Sequence, residues 1–186
     1  MNQPSIILIP FGYFENDFLK KIADDVGREY LLPVRIRDGH LDLSEFHDPV
    51  RRQYNGNALL KVVDSQFSAG SLKTLGLFSV DISIPILTYI FGQAYLNGRT
   101  GIASLYRFNN ERYGMKKDEQ LLLDRFRKEV IHELGHTFGL IHCHVPDCVM
   151  RSSTYVEDID QKSAHLCFRC RETLGSSTEL TNMPSN

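Results

Sequence analysis

His132-Glu133-Leu134-Gly135-His136-Thr137-Phe138-Gly139-Leu140-Ile141-His142 decides the reading of this chain. It closes the clearest helical pattern, Lys116 to Leu140. There Leu122, Phe126, Val130 and Leu134 form the inward stripe and Asp118 stands near the start. Residues four apart on a helix share a face, about 400° round and about 6 Å along the axis. His132 and His136 therefore present two imidazoles to one metal ion. A helix continued to His142 would carry that side chain about 9 Å further and off the face. A left-handed cap at Gly139 ends the helix and turns His142 back. Three imidazoles and one water make a tetrahedral catalytic zinc with an open position. Glu133, beside the first ligand, is placed to take a proton from the zinc-bound water.

The four cysteines, Cys143, Cys148, Cys167 and Cys170, all lie within 28 residues, and the preceding 142 residues contain none. The start of the chain, Met1-Asn2-Gln3-Pro4, carries no basic region, and no apolar run approaches the ~20 residues of a membrane span. The reading is a cytoplasmic protein, where thiols stay reduced and clustered cysteines bind metal. Two closely spaced pairs suit a second, closed zinc site of four thiolates.

With 186 residues the chain can bury a core, and 21 basic against 23 acidic side chains leave a formal charge of −2. That balance argues against nucleic acid as a partner. The expected strands are Ile6–Ile9, 33–36, Leu75–Val80, Tyr89–Gly92 and Ile102–Phe108. Helices are expected over Asp17–Tyr30, with Asp17 as N-cap, and over 53–66. Strand, helix and strand at the start suggest a βαβ unit. The segment from Gly175 onward reads as a frayed tail. His144, His165, His40 and His47 read as solvated, and Asp147 as a turn residue.

His132-Glu133-x-x-His136-x-x-Gly139-x-x-His142 resembles the metzincin clan of metallopeptidases. Met150, eight residues after His142, matches that clan's methionine turn beneath the metal. The whole run, through His142-Cys143, Cys148-Val149-Met150 and Cys167-x-x-Cys170, is similar to the archaemetzincin family. The segment with Asp81 and Phe91-Gly92-Gln93-Ala94 is similar too, more weakly.

The resemblance implies a compact α+β (mixed) fold: a twisted mixed sheet with a backing helix and an active-site helix, and a small C-terminal lobe around a structural zinc. The upper subdomain would be 1–139 and the lower 140–186. The implied function is zinc-dependent peptide hydrolysis by a monomer. It carries two zinc ions: His132, His136 and His142 hold the catalytic one, and Cys143, Cys148, Cys167 and Cys170 hold the structural one. Substrates would be peptides or small proteins, held extended against an edge strand placed at Tyr89–Gly92, for which an interior strand is the other reading. The alternative function is a weak or inactive zinc module that binds peptide or regulates.

Overall fold

The computed structural model describes residues 4–181. Strands β1 (Ile6–Phe11), β2 (Val34–Ile36), β5 (Lys73–Phe78), β9 (Thr100–Ser104) and β8 (Gly92–Ala94) form one sheet in the order β2-β1-β5-β9-β8. A smaller sheet has the order β3-β4-β6-β7, from β3 (His47–Asp48), β4 (Gln53–Asn55), β6 (Ile82–Ile84) and β7 (Leu87–Ile90). The helices are α1 (Asn16–Tyr30), α2 (Gly56–Phe67), α3 (Glu119–Thr137), α4 (Val156–Gln161) and α5 (Phe168–Thr181). The fold is mixed α and β.

The period-2 rule of strands explains the layering. Ile6 and Leu8 of β1 face one side of the large sheet, where they pack with Leu19, Ile22 and Val26 of α1 and Phe126, Val130 and Leu134 of α3. Ile9 and Phe11 face the other side, against Leu59, Leu60 and Val63 of α2. In this sheet β1 is parallel to β2, β5 is parallel to β1 and β9, and β8 runs antiparallel to β9. The first strand–helix–strand unit thus has the expected topology. The first apolar cluster continues into the chain after Leu140, through Val149, Met150, Ile159, Leu166 and Cys170.

Several boundaries differ from expectation, each for a local reason. Helix α1 begins one residue early, at Asn16 with Glu15 in the cap position, so Asp17 sits within the first turn. Residues 53–55 are a strand, because Tyr54 pairs with Ile82; α2 starts only after Asn55, whose side chain accepts from the Ala58 N–H at 3.1 Å. β9 ends at Ser104, and Tyr106–Phe108 is a short 3-10 turn. Tyr89–Gly92 is not one strand. Phe91 is buried and stacks on Phe108 with centroids 4.8 Å apart. That anchor ends β7 and lets the chain pass into the other sheet as β8. The edge of the large sheet is therefore Gly92–Ala94. Helix α5 runs through Thr181, across part of the expected tail, whose last residues, 182–186, lie outside the described ones.

One buried carboxylate ties α1 to the C-terminal part. Glu29 accepts from His165 Nδ1 at 2.8 Å, the Leu166 N–H at 2.7 Å and Arg171 Nη2 at 2.8 Å. His165 is thus exposed yet bonded, not merely solvated. Glu29→Ala would strand the buried Leu166 amide. We expect a loss of about 3 kcal/mol and a melting temperature lower by about 6–12 °C, read by calorimetry.

Candidate metal and hydrolytic centre

Helix α3 supplies the first half of the site. Asp118 caps it, accepting from the Leu121 N–H at 2.9 Å. Its end is fixed by a Schellman pattern: the Leu140 N–H donates to Gly135 O and the Gly139 N–H to His136 O, both at 2.9 Å. Gly139 has φ +90°, a backbone that favours glycine. The turn expected there is the turn observed. Lys73 Nζ donates to Thr137 O and Gly98 O, both at 2.7 Å, and the Asn97 N–H donates to His136 O at 2.8 Å. A cation and an amide thus complement the carbonyl end of the helix.

Past this turn His142 swings back. Its ring centroid lies 5.3 Å from that of His132 and 4.9 Å from that of His136. One ligand atom from each of the three histidines lies within 4.8 Å of the others. The tautomers follow from the partners. His132 Nδ1 meets Val149 O at 2.8 Å and His136 Nδ1 meets Leu140 O at 2.7 Å. A carbonyl only accepts, so each Nδ1 carries the proton. Burial lowers the pKa of both rings and keeps them neutral. Their Nε2 atoms then hold lone pairs, only 3.0 Å apart. Two ligands at 2.0–2.1 Å around a tetrahedral zinc stand about 3.3 Å apart. A cation between these lone pairs fits the geometry, and a neutral neighbour does not.

Glu133 lies on α3 beside them, buried. Its side chain presses on the edge strand: a Cβ at Gly92 would stand 2.6 Å from Glu133 Cγ and 2.8 Å from its Oε1. Glu133 Oε2 has no hydrogen-bond partner among the described residues. Burial raises its pKa well above the ordinary carboxylate value, and the neighbouring Glu129 raises it further. Lys162 works the other way. It is buried, donates to Arg151 O at 2.8 Å, and faces both carboxylates. Burial lowers the lysine's own pKa while Glu129 and Glu133 support its charge. Glu129 and Lys162 are not among the sequence-predicted residues. Glu129 stands four before Glu133, so helix periodicity alone puts it on the same face; Lys162 had no local signal.

Met150 is fully buried beneath this helix. Its Sδ lies 2.3 Å from where a Cβ on Gly135 would stand, so the glycine between the two histidines admits the methionine. The Cys143 N–H donates to Met150 O at 2.9 Å, which ties the methionine to the residue after His142.

The four cysteines also converge, with ligand atoms within 4.8 Å of one another. Cys143 and Cys167 Sγ are 3.8 Å apart, and Cys148 and Cys170 Sγ 3.7 Å. These are not disulfide lengths. Four sulfurs at about 2.3 Å from a tetrahedral zinc lie about 3.8 Å from one another. Burial pushes the Cys167 thiol up, but bonds from the Cys170 backbone and the neighbouring thiols bring it to about 7. His144 is exposed and lies outside this cluster.

A cleft of about 460 Å³ opens at the centre. Leu87 to Ala94 make its upper rim, Ser152 to Tyr155 its lower wall, and Glu129, Glu133 and Lys162 its floor, and the three histidines line it as well. Tyr155 lines the wall with 63% of its surface exposed. Among the described residues no helix is long and apolar enough to cross a membrane.

The model for peptidase family M54 matches residues 14–176. The archaemetzincin of Thermococcus kodakarensis is 36% identical over 182 residues, covering 94% of this chain and 97% of that one. The archaemetzincin of Pyrococcus abyssi is 39% identical over 178 residues, covering 91% and 93%. Among solved structures, the archaemetzincin of Methanopyrus kandleri superposes with a TM-score of 0.83 at 32% identity, covering 95% of this chain and 96% of that one. A zinc-dependent peptidase from Methanocorpusculum labreanum gives 0.81 at 27% identity, covering 91% and 100%.

Proposed function

Since the chain belongs to peptidase family M54, the archaemetzincins, and is a zinc metallopeptidase, we propose that His132, His136 and His142 hold its catalytic zinc and that Glu133 is its general base. The observation that carries this reading is the pair of Nε2 lone pairs 3.0 Å apart beside a buried carboxylate oxygen without a partner among the described residues. Zinc held there supplies Lewis acidity, acidifying a water toward a pKa of about 7 and polarising the scissile carbonyl. Glu133 accepts the proton of the attacking water and passes it to the leaving amine. Burial and Glu129 raise its pKa, which suits a group that must both take and release a proton. Lys162 offsets that burial and keeps the carboxylate available. Val149 O and Leu140 O orient the imidazoles.

Peptide substrate lies extended along the free edge of β8, adding a strand to the sheet. The cleft then separates an upper subdomain, 1–139, from a lower one, 140–186. Cys143, Cys148, Cys167 and Cys170 hold a second, structural zinc, and Met150 forms the turn beneath the catalytic one. The unit is a monomer that works in the cytoplasm without nucleic acid or membrane.

Metal analysis of the purified chain tests the ligand assignment. Two zinc ions per chain are expected for the wild type and one for His136→Ala, with the fold retained by circular dichroism. Unchanged stoichiometry in His136→Ala would remove the three-histidine site from the account.

A further inference from the structure

The third histidine is held by less than the other two. Val149 O and Leu140 O fix the rings of His132 and His136. His142 is exposed, and no hydrogen bond among the described residues fixes its ring. Its place is therefore set by the backbone that leaves α3.

That backbone turns through Thr137, Phe138 and Gly139. Among the last carbonyls of α3, Gly135 O accepts from the Phe138 and Leu140 N–H groups, and His136 O from those of Gly139 and Asn97. Thr137 O has no main-chain donor among the described residues, although Thr137 is fully buried. Helix ends leave such carbonyls orphaned, and a buried one without a donor is costly. Lys73 Nζ fills this position at 2.7 Å.

Lys73 lies far from the histidine motif, as the first residue of β5. The same ammonium donates to Gly98 O at 2.7 Å, in the turn between β8 and β9, and stands 4.8 Å from the centroid of the Phe138 ring. That turn grips the helix end at a second point. Asn97 has φ +54°, its N–H donates to His136 O at 2.8 Å, and its Oδ1 lies 3.4 Å from where a Cβ on Gly139 would stand. One cation thus gathers the start of β5, the β8–β9 turn and the end of α3, where the chain departs for His142.

We propose that Lys73 is a positioning residue for the catalytic zinc: by holding Thr137 O to the β8–β9 turn, it sets where the chain leaves α3 and so where His142 is delivered. Without the ammonium, the buried carbonyl has to find another donor, and the turn that carries His142 shifts to reach one. The loss falls on the histidine centre, because the four cysteines keep their own ties. This rests on the reading of His132, His136 and His142 as the ligands of that zinc.

The test compares the wild type with Lys73→Met, which keeps the aliphatic stem and removes the ammonium, and with Lys73→Arg, which keeps a charged donor. Cobalt replaces zinc, because its spectrum separates a thiolate site, with intense near-ultraviolet bands, from an imidazole site. Lys73→Met is expected to bind cobalt at the histidines at least tenfold more weakly, with the thiolate site within threefold of the wild type. Lys73→Arg should recover part of the loss. Amide exchange of the purified proteins, read by mass spectrometry, should quicken at least tenfold over residues 138–143 in Lys73→Met and stay level in α1. Unchanged affinity at the histidines would overturn the proposal. Equal weakening at both sites with faster exchange throughout would overturn it too, since Lys73 would then serve the fold alone. If the wild type binds cobalt only at the thiolates, the assignment of the three histidines fails, and exchange over residues 138–143 alone decides whether Lys73 sets the turn.

Discussion

Glu133→Gln is expected to keep both zinc ions and to lose peptide hydrolysis by about 10²–10⁴-fold, or about 3–5 kcal/mol of barrier. The substitution preserves shape in a place where shape is tightly set. Glu133 Cγ and Oε1 lie where a Cβ on Gly92 would collide, so the side chain is cradled by the edge strand and a glutamine fills the same space. What changes is the chemistry: an amide does not take up the proton of the attacking water. Because Glu133 is not a ligand in this account, zinc content should not move. The amide also relieves the burial of a carboxylate next to Glu129, so thermal stability should hold or rise. Steady-state kinetics beside metal analysis reads all of this. Activity within tenfold of the wild type would transfer the base to another group, with Glu129 the nearest carboxylate on the same helix face.

Cys167→Ser should be the most destabilising of these substitutions and should act at both metal sites. Zinc held by the four cysteines, as proposed, would close the loop from Cys143 to Cys170 and contribute folding free energy directly. Losing one ligand is expected to cost about 5 kcal/mol or more and to lower the melting temperature by about 10–20 °C. The effect reaches the catalytic zinc through the backbone. Cys143 follows His142, and its N–H is bonded to Met150 O, while Val149 O holds the His132 ring. Loosening the cysteine cluster therefore loosens two of the three histidines. Melting and zinc content measured on one sample check the coupling. A variant that lost one zinc with an unchanged melting temperature would separate the sites.

The centre was legible because it is encoded locally. Helix periodicity alone pairs His132 with His136, and the turn at Gly139 follows from the need to bring His142 back. Its φ of +90° and the Schellman bonds match that requirement. The first strand–helix–strand unit was legible for the same reason, since its apolar spacing is short-range. What failed depended on partners distant in sequence. Tyr89–Gly92 reads as one apolar strand, yet Phe91 is drawn onto Phe108 and splits it between two sheets. Residues 53–55 read as helix until Ile82 supplies a strand to pair with. Lys162 has no signal of its own, because it reaches the floor of the cleft through a segment that packs beneath α3. The tie from Glu29 to His165, Leu166 and Arg171 spans more than 130 residues, and spacing does not reveal such a contact.

The most direct measurement is cleavage of a diverse peptide library by zinc-loaded wild type, read by mass spectrometry beside zinc-stripped wild type and Glu133→Ala. The hydrolytic assignment predicts products from the zinc-loaded wild type alone. Equal products from Glu133→Ala, or from the stripped protein, would contradict it.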